Sequence, residues 1–150
     1  MQESQLEGGA VTQRRVTVDA TLFASDDPVR LAAGRCDGCA TVVFPSQDSC
    51  PRCSHRPLAA HVLATAGTVW TWTRQEFAPK PPFRVSRDGW APKALGYVDL
   101  GDVLVEGWLV PSARAWRMGD RVHLTTVPAW TDERGVVHTF AFEFDAEAPA

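Results

Sequence analysis

Two Cys-x-x-Cys pairs constrain this chain more than any other feature of its sequence. The pairs are separated by ten residues, and their members are Cys36, Cys39, Cys50 and Cys53. Each pair can form a tight turn that directs two thiolates to one point, and two such turns supply the four ligands of a tetrahedral zinc site. The spacer contains a Val-Val-Phe-Pro run, which fits a short strand followed by a turn. The residues predict a structural zinc ribbon over 34–57.

The four cysteines have alternative uses that the sequence ranks below zinc. Iron is the competing metal, because four thiolates in a tetrahedron suit both ions. A disulfide framework needs an oxidising compartment, and the N-terminal residues lack the apolar stretch of a signal peptide. No apolar run approaches the ~20 residues that a membrane helix needs. We therefore expect zinc as the cofactor, a cytoplasmic location and no membrane span.

Composition and the absence of catalytic strings narrow the function. The 150 residues are 45% hydrophobic with a net charge of −3, which is typical of a globular domain and argues against a strongly basic nucleic-acid binder. There is no Gly-x-Ser-x-Gly string, no P-loop and no His-Glu-x-x-His string. With four cysteines on metal no thiol is left as a nucleophile, and the four histidines are scattered. The chain is predicted to be a binding or assembly module without a catalytic centre of its own.

The residues after the cysteines have the period of two that is typical of β-strands. Strands are expected at 68–73, at 94–100 and 103–110 around a Gly-Asp turn, and at 121–130 and 136–144 around a polar turn. Five strands favour a small barrel, and the OB-fold is the obvious candidate. The predicted organisation is a flexible tail (1–16), a short and partly helical lead-in (17–33) with a helix start near 25–28, the zinc ribbon (34–57) and an OB-fold domain (58–150).

A proline-rich loop over 78–93 interrupts the strand pattern, since prolines at this density cannot lie inside a sheet. The stretch 74–93 has a net charge of +3 in an acidic chain, from five basic residues against Glu76 and Asp88. The basic residues are Arg74, Lys80, Arg84, Arg87 and Lys93, and the aromatic residues beside them are Phe77, Phe83 and Trp90. This inversion of charge indicates an anion site, although exposed loops often carry such residues.

Tryptophan is abundant, with six in the chain. Strand alternation places Trp70 and Trp72 on the same side of the first barrel strand. They either pack in the barrel or on a partner, or form a stacking platform for bases, as in proteins that bind single-stranded nucleic acid. A small barrel cannot bury six indole rings, so some of them are expected at an interface.

Taken in order, these strings resemble one known family. The strings are RCDGCATVVFP, CPRC, GTVWTWT, the proline-rich loop, YVDL, VLVEGWLV and MGDRVHL. In this order they resemble the zinc-ribbon plus OB-fold proteins, which were long catalogued as a domain of unknown function and are now regarded as acyl-CoA-associated. The resemblance covers about residues 28–145. It implies a mainly β chain, with an N-terminal rubredoxin-like zinc ribbon followed by a five-stranded OB-fold barrel. The lead-in before the ribbon is shorter and weaker here than in the family.

The resemblance also implies a function. Such proteins are accessory subunits without their own catalysis that bind thiolase-superfamily enzymes, including the aldolases of steroid side-chain degradation, and help to form an acyl-CoA site. Some accompany hotdog-fold enoyl-CoA hydratases. The four cysteines would be the metal ligands, and Trp70 and Trp72 the aromatic positions of the first barrel strand. The residues expected to contact acyl-CoA or the partner are Trp70, Trp72, Arg74, Lys80, Phe83, Arg84, Arg87, Trp90 and Lys93. The alternatives are a single-stranded nucleic-acid-binding OB-fold protein and a ligand-free structural adaptor.

Overall fold

Almost all regular structure in the chain is β. The computed structural model describes residues 15–85 and 88–145, and in this part a sheet of four short strands precedes five longer strands that close into a barrel. The sheet strands are β1 (Phe23–Asp26), β2 (Val29–Arg35), β3 (Val42–Val43) and β4 (Ala59–Val62). The barrel strands are β5 (Ala66–Gln75), β6 (Lys93–Asp99), β7 (Leu104–Leu109), β8 (Arg121–Asp132) and β9 (Gly135–Phe144).

The barrel has the topology expected of an OB-fold. Its strands are paired in the order β5-β6-β7-β9-β8, and β8 closes the ring against β5. The β7–β9 pairing is parallel and the other pairings are antiparallel. A closed five-stranded barrel of this kind has no free edge strand. The predicted fold class is confirmed: a mainly β chain in which a cysteine-rich module is followed by a five-stranded barrel.

The two modules share one hydrophobic core. Residues at alternate positions of the barrel strands point inward, and Val98, Val105 and Phe142 are at most 1% exposed. Leu31 of β2 is fully buried in the same cluster. The ring of Phe44, which follows β3, lies edge-on to a barrel ring at a centroid distance of 5.7 Å. The cysteine-rich module is therefore packed against the barrel.

Glycines at positive φ form the two hairpin turns that the sequence predicted. Gly101, with φ of 92°, lies between β6 and β7, and Gly135, with φ of 101°, is the first residue of β9, where the turn from β8 ends. A side chain is disfavoured in this backbone region, which explains why glycine occurs at both turns. The first turn is also stabilised by the backbone amide of Gly101, which donates to the Asp99 carboxylate over 2.8 Å.

The lead-in is more extended than the sequence suggested. It has a single turn of 3-10 helix (Ala20–Leu22), capped by the Asp19 carboxylate, which accepts from the amide of Thr21 over 2.9 Å. The helix start expected near 25–28 is instead the end of β1 and the turn into β2, since an Asp-Pro pair favours a turn.

The predicted tail lies largely outside the described residues. Its last part pairs with the barrel, because His138 donates to the carbonyl of Val16 over 2.8 Å and accepts from the amide of Val18 over 2.9 Å. In the described part of the chain no helix is long and apolar enough to cross a membrane.

Candidate functional site

The four cysteines come together as the spacing predicted. Their sulfur atoms lie within 4.8 Å of one another, with Cys36 3.5 Å from Cys53 and Cys39 3.6 Å from Cys50. Four sulfurs at about 2.3 Å from a central zinc ion in a tetrahedron would lie ~3.8 Å apart. The cluster therefore has the dimensions needed to hold a tetrahedral metal ion.

Two turns of matching geometry position these sulfurs. In the first, the amide of Ala40 donates to the carbonyl of Cys36 over 2.8 Å, and the amide of Cys36 donates to the carbonyl of Thr41 over 2.9 Å. In the second, the amide of Ser54 donates to the carbonyl of Cys50 over 2.9 Å. Ala40 and Ser54 occupy the same position of their turns, with φ of 61° and 62°. Non-glycine residues rarely adopt this region, so the two turns repeat one unusual backbone path.

The environment of one cysteine favours its metal-binding form. The hydroxyl of Thr41 lies 3.1 Å from the Cys39 sulfur, and the hydrogen bonds from this residue lower the pKa of Cys39 to about 6. These hydrogen bonds favour the thiolate of Cys39, which is the form that binds a metal ion. Cys36 and Cys50 are buried, at 1% and 2% exposure, so water has little access to their sulfurs.

A second feature is a cavity of about 560 Å³ in the barrel module. All five barrel strands contribute to it, together with the connections 76–92 and 110–120. Five of the six tryptophans of the chain line it: Trp72, Trp90, Trp108, Trp116 and Trp130. Its location, between the β6–β7 region, the β5–β6 loop and the β8–β9 hairpin, is the surface that OB-folds use to bind ligands.

Four basic residues line this aromatic cavity, and two of them have no ion pair with any described residue. The Nζ of Lys93 lies 5.3 Å from the ring centroids of both Trp90 and Trp108. The guanidinium of Arg84 lies 5.8 Å from the Trp130 ring. Both cations are held against aromatic faces, which attract them without neutralising them. They remain able to bind an anion.

The other two cations are already paired. The Nε of Arg74 lies 2.7 Å from a carboxylate oxygen of Glu76. Arg114 donates to both carboxylate oxygens of Asp120, over 2.8 and 3.1 Å, and this hydrogen bonding lowers the pKa of Asp120. Among the described residues that line the cavity there is no Asp, Glu, His or Cys. The site can attract an anion, and its described lining offers no carboxylate, imidazole or thiol for acid–base or nucleophilic chemistry.

The predicted contact residues are only partly brought together. Six of them line the cavity: Trp72, Arg74, Phe83, Arg84, Trp90 and Lys93. Lys80 and Trp70 are not among the lining residues. Arg87 lies outside the described residues.

The prediction that Trp70 and Trp72 share one side of their strand is wrong. A β-bulge shifts the register of β5 between Val69 and Thr71, so that two residues there oppose one on β6. The bulge leaves Trp70 58% exposed, whereas Trp72 packs against the core and lines the cavity.

Sequence reasoning missed part of the lining. Four of the lining residues were not singled out from the sequence: Trp108 of β7, Trp130 of β8, and Arg114 and Trp116 of the β7–β8 connection. The abundance of tryptophan was the available signal, but it does not predict which of the rings line the same cavity. That information depends on the pairing of β7 with β9, which brings distant parts of the chain together.

Comparison with known proteins gives a likeness of fold. No protein-family model matches the chain, and no curated protein matches it. Among solved structures, a chain of the "Ltp2-ChsH2(DUF35) aldolase" matches with a TM-score of 0.60 and 22% identity, over 88% of this chain and 98% of that chain. The two chains share a fold. At this identity the likeness does not extend to function.

Proposed function

We propose that the chain is a non-catalytic accessory subunit that binds a thiolase-superfamily enzyme and helps to form its acyl-CoA site. The observation that carries the proposal is the cavity, in which indole rings contact two cations, Arg84 and Lys93, that form no ion pair with a described residue. Acyl-CoA combines phosphates, a flat base and an apolar chain. Cations recognise the phosphates, and aromatic faces recognise the base and the chain.

An accessory role is supported by two further observations. The described lining residues include no carboxylate, imidazole or thiol, so a partner would supply the catalytic groups. The solved structure with the same fold is named as an aldolase, which favours an aldolase as the partner. Within the thiolase superfamily we favour a thiolase or a steroid side-chain-type aldolase acting in lipid metabolism in the cytoplasm. A hotdog-fold enoyl-CoA hydratase is a further candidate member of the complex.

We propose zinc as the ion held by Cys36, Cys39, Cys50 and Cys53. The sulfur spacing fits a four-thiolate site, and four protein ligands leave no position for substrate. When bound, the ion would cross-link the two cysteine turns and would have a structural role, not a catalytic one. Because Leu31 of the adjacent strand is part of the shared core, the ion would also support the packing of the ribbon on the barrel.

Single-stranded nucleic acid is the competing ligand, and the distribution of charge argues against it. A strand binder needs cations spread along a groove, and its affinity falls steeply with salt. Here Arg84 and Lys93, which pair with no carboxylate in the described part of the chain, lie in one cavity of about 560 Å³, and this fits a compact ligand better than a strand.

The proposal is tested by calorimetric titration of coenzyme A and of a 20-nucleotide oligo-dT into the chain, alone and with a thiolase-superfamily subunit encoded next to it. We expect weak binding of coenzyme A by the chain alone, tighter binding in the complex, and no binding of the oligonucleotide at physiological salt. The double substitution of Arg84 and Lys93 by Glu should abolish coenzyme A binding and leave the complex intact. Micromolar binding of oligo-dT that this variant loses, together with unchanged coenzyme A binding, would overturn the proposal.

A further inference from the structure

The barrel carries a second recess, on the outer side of β5, β6 and β7, which shares one lining residue, Trp72, with the cavity. We define the outer face by the outward residues of β5, β6 and β7: Trp70, Thr71, Thr73, Leu95, Tyr97, Leu104 and Glu106. The strand register places Tyr97 between Thr71 and Glu106. The alternate residues of these strands, such as Val98 and Val105, are buried in the core.

Large apolar groups are concentrated on this face. Trp70 is 58% exposed, Tyr97 41% and Leu104 38%, and they lie on three neighbouring strands. Exposed aromatic residues grouped in this way are typical of a protein interface, where tryptophan and tyrosine provide much of the binding energy.

A cleft of about 220 Å³ lies within the outer face and has room for one long side chain. The cleft is lined by seven residues of the three strands: Thr71, Trp72, Thr73, Leu95, Gly96, Tyr97 and Glu106. Glu106 is the one charged residue among the described lining residues. Because hydrogen bonding to Glu106 and its charge favour the protonated hydroxyl, the pKa of Tyr97 is raised.

This set of groups matches an arginine side chain. A guanidinium pairs with a carboxylate in two parallel hydrogen bonds and stacks on an aromatic ring, while its aliphatic stem packs on apolar surface. Glu106 retains acceptor capacity beyond the Tyr97 hydroxyl, since a carboxylate has about four lone-pair positions. The residues that define the outer face include the Glu106 carboxylate and no arginine, so a second copy meeting its own outer face there would not supply a guanidinium.

We propose that the outer face docks a partner protein that inserts one arginine side chain into the cleft, with Trp70 and Leu104 as the surrounding apolar contacts. The inference rests on the proposed function, since it takes the thiolase-superfamily subunit as the partner. It assigns the exposed tryptophan to the partner interface and the other five to the cavity.

The test uses photo-cross-linking in the full chain, expressed in its source cells. Benzoylphenylalanine replaces Leu104 on the outer face, and in a matched control it replaces Val136, which is 46% exposed on β9. We expect the probe at position 104 to cross-link to the thiolase-superfamily subunit at a segment that contains an arginine. The probe at position 136 should give less than a tenth of that product. Equal yields from the two positions would overturn the inference.

Charge reversal provides the second measurement. Glu106→Arg should weaken the purified complex at least tenfold, whereas Glu143→Arg, a reversal at an exposed strand position on β9, should change it less than twofold. Circular dichroism melting verifies folding, and Glu106→Gln replaces the first variant if that one unfolds. A complex that tolerates both Glu106 variants refutes the docking face and leaves the proposed function standing. A wild-type chain that forms no complex with the subunit refutes both.

Discussion

Lys93→Met is the sharpest test of the cavity, because it removes a charge and little else. Methionine retains an unbranched apolar side chain, and its sulfur can still contact the Trp90 and Trp108 rings, whose centroids each lie 5.3 Å from the lysine ammonium. The matched control is Lys80→Met, which removes the same charge from the same loop region at a position that does not line the cavity.

The expected loss follows from the contacts of the ammonium group. Lys93 has no ion pair with a described residue, so its charge is available to a phosphate. A hydrogen bond to a charged group contributes about 1.5–3 kcal/mol. Losing it should raise the dissociation constant of coenzyme A roughly 10- to 100-fold. Lys80→Met changes only the long-range field, which salt screens over about 10 Å, so its effect should stay within about threefold. Stability should fall by less than about 1 kcal/mol, since cation–π contacts at accessible sites contribute about that much.

Calorimetric titration of coenzyme A into the complex, at two salt concentrations, measures both variants. The same titration with dephospho-coenzyme A, which lacks the 3′-phosphate, identifies the phosphate that Lys93 contacts. Equal losses for Lys93→Met and Lys80→Met would show that the loop acts only by its net charge. In that case the inference that the Lys93 ammonium beside the two indole rings binds a phosphate directly is wrong.

Three further outcomes are expected. Elemental analysis should give one zinc per chain. The variant Cys50→Ser should lose the zinc and have a lower melting temperature, while much of the circular dichroism of the barrel remains. Finding iron, or less than about half an equivalent of metal, would contradict this prediction. Gly67→Ala should destabilise the chain by more than about 2 kcal/mol, because the added Cβ collides with a main-chain carbonyl at the end of β6, whereas Gly38→Ala has ordinary contacts and should be nearly neutral in chemical denaturation. The pKa of Asp120 is lowered in the fold through its hydrogen bonds with Arg114, so its contribution to stability is present above the ordinary value of 3.8 and is lost as pH falls below it. Asp120→Asn should flatten the dependence of unfolding free energy on pH between about 5 and 3, and an unchanged slope would refute the contribution.

The features that the sequence predicted well are local ones. The spacing of Cys36, Cys39, Cys50 and Cys53 needs only two short turns to bring four sulfurs together, and the structure does so. The hairpin around Gly101 depends on residues adjacent in the chain, so its turn type is readable from composition. The barrel itself followed from the number and alternation of strands.

The features that escaped prediction depend on long-range pairing or on a single inserted residue. One bulged residue in β5 reversed the side that Trp72 faces relative to Trp70, and nothing in the local alternation marks its position. The cavity wall combines Trp108 with Ala141, which lie 33 positions apart and meet only because β7 pairs with β9 in parallel. Strand pairing of this kind is a property of the closed barrel and not of any short segment.

The distribution of indole rings makes the chain an optical reporter of its own cavity. Five of its six tryptophans line the cavity, and Trp70 alone among the six is outside it. Trp70→Phe would leave an intrinsic fluorescence signal that arises wholly from rings around the bound ligand. Occupancy could then be followed by emission, without a label, in a mixture with tryptophan-free components. The difference in emission between the wild-type chain and Trp70→Phe would report on whether a partner covers the outer face.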